Sequence, residues 1–371
     1  MINLTDYGLT ECFYLKDGQQ GLKDEVMETD GGQLVYARVI AVHRELYKVV
    51  SEYGEGNARL KGSAYNNVSS AEDFPAVGDF VLLKYNPLGD SQVVKVCDRK
   101  SKFSRPDYSG HAQGYVKTVL EQVVAANFDY VFIIASLNYD FNIGRILRYV
   151  TVAWESGGTP VILLTKADLV EDYTEQLEAV REQAIGVTAI AISSVTGLGL
   201  EQLQQFLKPG NTIAFLGSSG VGKSTLVNVL AGEEIMKVNT IREDDSKGRH
   251  TTTHRQLIRL NNGVMIIDTP GMRELGMWDV EEGLGATFSD IEDLFEQCRF
   301  SDCTHRKEPG CAVLAALENG ELQRSRWRSY LHMREEARFT ENKAAYLRDK
   351  AAFHKKINRD AHQRNKQRGK R

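Results

Sequence analysis

At 371 residues, with 26% charged and 42% hydrophobic residues, the chain has the composition of a soluble globular protein and room for two or three domains. Five cysteines in this length argue against a disulfide scaffold, residues 130–137 form an apolar run far too short to span a membrane, and residues 1–13 lack a secretory signal, so a cytoplasmic location is expected. The net charge of −4 conceals an asymmetry: residues 354–371 carry +7 and the rest −11, a basic tail that suits a polyanionic partner or a solvated end.

Residues 1–33 precede the first strand pattern and are expected to form an N-terminal arm. Residues 34–98 read as β structure. LVYARVIAVHRELYKVVSEY alternates apolar and polar positions, and GNARLKGSAY, GDFVLLKY and SQVVKVCD follow between Gly, Asn and Asp turns. About five strands in about 65 residues fit an OB-like barrel, a frequent oligonucleotide binder; a structural β module without a ligand has the same pattern.

From 127 to 272 buried strands alternate with helices. YVFIIASL, PVILLTK, VTAIAISS, TIAFLGS and VMIIDTP are apolar runs, and NIGRILRYVTVAWES, TEQLEAVREQA and GKSTLVNVLAG carry apolar residues at helical spacing. That texture predicts a parallel sheet covered by helices. Beyond about 280 the sequence predicts short helices and a cysteine cluster, then a helical stretch at 324–339 whose Arg/Trp/Tyr mix could touch RNA.

Within the α/β region, Gly217, Ser218, Ser219, Gly220, Val221, Gly222, Lys223 and Ser224 match G-x-x-x-x-G-K-[ST], between a strand and a helix that begins KST with Thr225. Glycines let backbone N–H groups wrap phosphates at a helix N-terminus. Lys223 can reach the β and γ phosphates, and the Ser224 hydroxyl can ligate Mg²⁺. Downstream, Asp268 ends an apolar strand in MIIDTPG and can hold Mg²⁺ through water, with the Gly271 N–H facing the γ-phosphate. Between them SKGRHTTTH offers Thr251, Thr252 and Thr253, one of which could complete the Mg²⁺ shell in a γ-phosphate-ordered switch.

Upstream, Thr165-Lys166-Ala167-Asp168 follows one strand and Ser193-Ser194 the next. A carboxylate at Asp168 can accept both N1–H and N2–H₂ of guanine, a donor pair that adenine lacks. The Lys166 stem can cover the ring, and the Ser193–Ser194 segment can present backbone N–H to O6. The motifs run base, base, phosphate, switch, switch. Cutting an ordinary GTPase after its second switch and joining the old ends produces that order, so the domain is expected to be circularly permuted.

Cys298-x₄-Cys303-x-His305-x₅-Cys311 supplies three thiolates and an imidazole within fourteen residues, the composition of a closed structural zinc site. A small unit of this kind would fold around the metal. Cys12 and Cys97 lie apart from it.

In these motifs, together with AANFDYVFIIA at 125–135, GRHTTTH and DTPGMRE, the chain closely resembles the RsgA family of circularly permuted small-ribosomal-subunit biogenesis GTPases over most of its length. The resemblance implies GTP hydrolysis stimulated by the small subunit, a late step in that subunit's maturation, contact with its rRNA, and zinc at Cys298, Cys303, His305 and Cys311. It also assigns His250 as the water-orienting group, because Met272 stands where many GTPases carry Gln. Thr165 departs from the Asn usual at the head of the base motif; it should retain a hydrogen bond.

The resulting expectation is a multidomain α/β protein: an arm over 1–33, an OB-like β-barrel over 34–100, a circularly permuted P-loop GTPase domain over 101–278, a zinc-binding helical domain over 279–345 and a basic tail over 346–371. It is expected to be a monomer that binds GTP and GDP. Switch II, around 268–276, runs into the zinc domain, so loss of γ-phosphate could reposition that domain. A P-loop small-molecule kinase leaves TKAD and the cysteines unexplained, and a non-catalytic RNA-binding scaffold would show no turnover.

Overall fold

The structure, a computed structural model, describes residues 1–10, 33–43, 46–60, 74–107, 120–138, 141–236, 256–268 and 280–339. Five strands come first: β1 (Leu34–His43), β2 (Leu46–Ser51), β3 (Gly54–Leu60), β4 (Phe80–Lys84) and β5 (Ser91–Val96). β1 pairs with β2 and also with β4, and the order β1-β2-β3-β5-β4 closes on itself, with β3 and β5 parallel. This is the five-stranded barrel expected from the alternation. Val35, Ala37 and Val39 of β1 meet Val49, Val81, Leu83 and Val93 inside it. A register shift between Val39 and Ala41 lets β1 serve two neighbours, since Ile40 packs outside the barrel in the main core.

The second sheet is parallel over β8 (Tyr130–Ser136), β9 (Thr159–Thr165), β10 (Thr188–Ala191), β11 (Thr212–Gly217) and β13 (Met265–Asp268), with β12 (Gln256–Arg259) antiparallel on β13. Its spatial order is β10-β9-β8-β11-β13-β12. Numbered from the phosphate-loop strand β11, that order becomes 6-5-4-1-3-2, a doubly wound sheet whose chain starts in the middle. The apolar runs are continuous because both faces are covered. Along β8, Val131, Ile133 and Ala135 face one core, with Ile146, Leu147 and Val150 of α1 (Ile143–Glu155) and Val180 of α2 (Thr174–Gln183). Phe132 and Ile134 face the other, with Leu226 and Val227 of α3 (Lys223–Ala231) and Leu203.

Two elements differ from the sequence expectation. β6 (Lys102–Asp107) and β7 (Leu120–Ala126) form a separate antiparallel ribbon, and β12 is a strand of four residues. β6 contains Pro106 and three charged positions, and β12 is polar at both ends, so neither has the apolar period of a buried strand. β12 also touches β1 at Ala41↔Gln256, joining barrel and parallel sheet into one eleven-stranded sheet.

After the sheet come α4 (Glu281–Thr287), α5 (Ser289–Glu296), α6 (Ala312–Asn319) and a helix over 324–339, α7. α4 crosses α1 at close range. A Cβ on Gly283 would lie 2.2 Å from the Thr151 carbonyl oxygen, so only glycine fits. The Gly283 N–H donates to Glu155 Oε2 at 2.7 Å, and the hydroxyls of Thr151 and Thr287 are 3.2 Å apart. Buried Arg326 of α7 binds the Asp290 carboxylate and donates to the carbonyls of Gln183 (2.7 Å) and Thr287 (2.9 Å). Arg148 and Glu336 pair at 2.8 Å.

A second buried arginine ties the barrel to the parallel sheet. Arg38 of β1 donates to the carbonyls of Gly78 (3.2 Å), Asn127 (2.9 Å) and Tyr7, and meets the Met265 sulfur at 3.1 Å. Beside it, fully buried Asp79 accepts from both Arg99 (2.8 and 2.7 Å) and the Ala76 N–H (2.7 Å). Among the described residues, no helix is long and apolar enough to cross a membrane.

Candidate functional site

β11 ends in Gly217, where the chain turns over β8 so closely that a Cβ would sit 2.5 Å from the Ile134 carbonyl oxygen. The loop then presents half-buried Ser218 and exposed Ser219 and Gly220, and returns through buried Val221 to Gly222, which caps α3. Lys223, the first residue of α3, donates its Nζ protons to the carbonyls of Gly217 (2.6 Å) and Ser218 (2.7 Å), curling over the loop. Ser224 and Thr225 follow in the same turn, half-buried. The loop lies at the carboxyl edge of the parallel sheet beside β8, where the strand order reverses; ligands bind at this position in doubly wound folds.

The Thr165–Asp168 segment leaves the same edge from β9. Lys166 is left-handed (φ 61°) and starts a 3₁₀ turn over Ala167–Leu169, which leaves Asp168 exposed. The Ala167 N–H donates to the Ile192 carbonyl at 3.2 Å, holding this loop against the one after β10. There, buried Ser193 uses its Oγ to accept the N–H groups of Val195 (3.2 Å) and Thr196 (3.1 Å), so its side chain shapes the turn, and Ser194 is half-buried beside it. Thr165 itself is buried, and its hydroxyl donates to the Val221 carbonyl of the phosphate loop at 2.6 Å. Two motifs more than fifty residues apart are therefore in direct contact.

Asp268 closes β13, its backbone paired with Gln256 and one strand away from β11. Gly271, His250, Thr251, Thr252, Thr253 and Met272 lie outside the described residues.

The cysteine cluster assembles between α5 and α6. The ligand atoms of Cys298, Cys303, His305 and Cys311 all lie within 4.8 Å of one another. His305 Nδ1 is 3.6 Å from the sulfurs of both Cys298 and Cys311, and those sulfurs are 4.0 Å apart. A tetrahedral ion with bonds of about 2.0–2.3 Å holds such atoms roughly 3.5–3.8 Å apart, so the set could hold one metal ion, zinc included. Burial raises the Cys298 thiol, but the N–H groups of Ala312 and Val313 at the start of α6, together with hydrogen bonds from Cys303 and Cys311, hold it below its ordinary value. Burial and the neighbouring sulfurs push Cys303 up to about 11. Burial and Arg334 lower His305, favouring the neutral imidazole that ligates.

Residues outside the motifs complete the cluster. Glu308 accepts the N–H groups of Thr304 (3.0 Å), Arg306 (2.9 Å) and Lys307 (3.0 Å), shaping the loop between Cys303 and Cys311. Phe295 stacks on His305 with centroids 4.2 Å apart. A glutamate three residues after a histidine ligand carries no signal by itself; its role is visible only once the loop is folded.

A doubly wound sheet entered at its middle, with a Lys-bearing loop of phosphate-loop sequence clasped to the Thr165–Asp168 segment, defines a circularly permuted P-loop GTPase fold. The sequence profile described as RsgA GTPase matches residues 96–278. The chain is 50% identical over 301 residues to small ribosomal subunit biogenesis GTPase RsgA 2 of Listeria monocytogenes serotype 4b (strain F2365), covering 81% of this chain and 83% of that protein. It is 45% identical over 335 residues to the protein of the same name from Lactiplantibacillus plantarum, covering 90% of this chain and 89% of that one. The crystal structure of YjeQ from Thermotoga maritima superposes with a TM-score of 0.62 at 27% identity, covering 82% of this chain and 99% of that one. The crystal structure of YloQ, a circularly permuted GTPase, has a TM-score of 0.59 at 24% identity, over 84% of this chain and 97% of that one, and supports the fold. The chain belongs to the RsgA GTPase family.

Proposed function

We propose that this GTPase is an assembly factor of the small ribosomal subunit: it binds the subunit and its rRNA late in maturation, the subunit stimulates its GTP hydrolysis, and hydrolysis is coupled to release. The observation that carries this reading is the clasp between the base-reading and phosphate loops in a chain whose relatives bear that name. In this reading Gly217–Thr225 wraps the phosphates, Lys223 leaves its loop carbonyls for phosphate oxygens, and Asp168 accepts both guanine donors while Lys166 covers the ring. The segment at Ser193 and Ser194 lies against the base loop; the Ser193 N–H is held by the Leu198 carbonyl at 3.0 Å, so the backbone N–H for O6 would come from Ser194. Ser224 and, through water, Asp268 would hold a Mg²⁺ ion brought with GTP, which would supply neutralisation of the phosphate charge. Gly271 faces the γ-phosphate and His250 orients water. Zinc is a structural ion at Cys298, Cys303, His305 and Cys311, and a closed N/S set of this kind is suited to folding rather than catalysis. The barrel over 34–100, the GTPase unit over 101–278, the zinc unit over 279–345 and the tail over 346–371 are the working parts, with barrel and basic tail facing rRNA.

The test is GTP turnover by the purified protein with and without isolated small ribosomal subunits, with ATP as control. Slow intrinsic GTP hydrolysis should rise severalfold or more with subunits, ATP should not be used, and His250→Ala should lose the stimulated rate. Turnover indifferent to subunits would remove the ribosome as activator.

A further inference from the structure

We infer that the β12–β13 hairpin couples the barrel to the nucleotide: a polyanion that shifts the barrel shifts the hairpin, and nucleotide state is read back at β1. This rests on the reading that GTP occupies the site and that residues 246–254 and 268–276 are its switches. In sequence β12 starts just past the first of those segments, and β13 ends at Asp268, where the second begins. A tight turn joins the strands. The Leu260 N–H donates to the Val264 carbonyl at 2.8 Å and the Gly263 N–H to the Leu260 carbonyl at 2.9 Å, so the pair moves as a unit. The barrel touches this hairpin along its whole length. At the open end Ala41 of β1 is the register partner of Gln256, which in turn pairs with Asp268. One residue thus separates the barrel from the carboxylate that the proposed function gives to Mg²⁺. Ile40 and Leu257, the next residues along the two strands, are buried in the same core. Midway, Gly78 lies against β13, where a Cβ would be 3.0 Å from Ile267 Cδ1. Near the turn Arg38 meets the Met265 sulfur at 3.1 Å. There the Arg259 guanidinium also covers the Tyr7 ring at 5.3 Å, in a segment tied to the barrel by the Ile2 N–H and Glu52 carbonyl at 2.9 Å.

The other face of the hairpin looks toward the phosphate side. Side chains alternate across a strand. Leu257, Met265 and Ile267 lie in the core shared with the barrel, whereas Ile258 and Ile266 lie in the core with Leu226 and Val227 of α3, the helix that opens with Lys223 and Ser224. The hairpin is therefore packed between the barrel and the helix of the phosphate loop, and a close-packed interior passes displacement on. The zinc-bearing helices pack on different elements: α4 crosses α1, and Arg326 of α7 holds the end of α2. In sequence switch II runs toward the zinc unit, but in the fold the strands between the switches lie under the barrel. Coupling between two binding sites is reciprocal, so a barrel partner that favours one nucleotide state must itself be favoured by it.

The test is amide hydrogen exchange on the full-length protein, saturated with GDP or with guanosine 5′-[β,γ-imido]triphosphate in the presence of Mg²⁺. Exchange over 39–42 in β1 and 256–259 in β12 should change together between the two states, by about tenfold, within the usual range for coupled sites. Exchange over 325–333 in α7 should stay the same. Unchanged exchange at 39–42 with both nucleotides bound overturns the inference, as does a change confined to α7. Ile40→Ala supplies a second measurement, since it trims the side chain between barrel and hairpin and spares the barrel interior. This variant should bind isolated small subunits and turn over GTP alone as wild type does, yet lose about tenfold of the subunit-stimulated rate. Full stimulation in a folded Ile40→Ala protein also overturns the inference; should the variant not fold, the wild-type exchange comparison decides. A wild type that gains no rate from subunits would fault the proposed partner, and the exchange comparison would still judge the hairpin.

Discussion

Glu308 binds no ligand atom in the cysteine cluster, yet three backbone N–H groups and the Thr304 hydroxyl converge on its carboxylate. The Thr304 hydroxyl first, then the Lys307 and Arg306 N–H groups, hold this carboxyl well below the usual glutamate range. The bonds favour the charged form, so their contribution is complete above the ordinary glutamate value and is lost as pH falls through the lowered one. Glu308→Ala should leave Cys298, Cys303, His305 and Cys311 in place but loosen the loop between Cys303 and Cys311, so that protein loaded with zinc would give the ion up to a colorimetric chelator about tenfold faster. An unchanged release rate would mean that the ligands alone define the loop.

At the scale of elements, the contact between α1 and α4 is set by a backbone approach that no side chain can enter. Gly283→Ala must push the helices apart against the Thr151 carbonyl, at a cost of about 1–3 kcal/mol. Urea denaturation should show a lower midpoint, while guanine nucleotide affinity, set at the opposite end of the sheet strands from this helix crossing, should change little. The sequence revealed such elements unevenly. β8, β9 and β11 were legible because strands buried on both faces are apolar throughout, and the phosphate loop because its pattern is local. β6, with Pro106, and the four-residue β12 were not, since each is stabilised by neighbours distant in sequence. The clasp from Thr165 to Val221 was hidden for the same reason: a hydroxyl shows what it can donate, and only the fold shows to what. Gly283 carries no signal of its own in the sequence, because what it must clear is the Thr151 carbonyl of a helix 132 residues away.

In the whole molecule, the barrel and the parallel sheet are held as one body by Arg38 and by the β1–β12 contact. Arg38→Met leaves the carbonyls of Asn127 and Tyr7 without this donor, while Gly78 keeps the Asn127 side-chain amide at 3.2 Å; each buried group left unsatisfied costs about 1–3 kcal/mol. Calorimetry should then resolve two unfolding transitions, barrel and GTPase unit, where the wild type has one; a single transition, merely shifted down, would place the coupling elsewhere.

The same guanidinium sets a timetable for biosynthesis. Arg38 and Met265 are 227 residues apart, a gap of roughly 10–45 s at translation rates of 5–20 residues per second. When Arg38 is added to the chain only Tyr7 among its eventual partners has been made, and Gly78, Asn127 and Met265 follow in turn. The barrel can close its own ring of strands early, but its outer face stays wet until β12 and β13 are translated. The nascent chain thus acquires its phosphate loop and its domain interface in one interval, between residues 217 and 265.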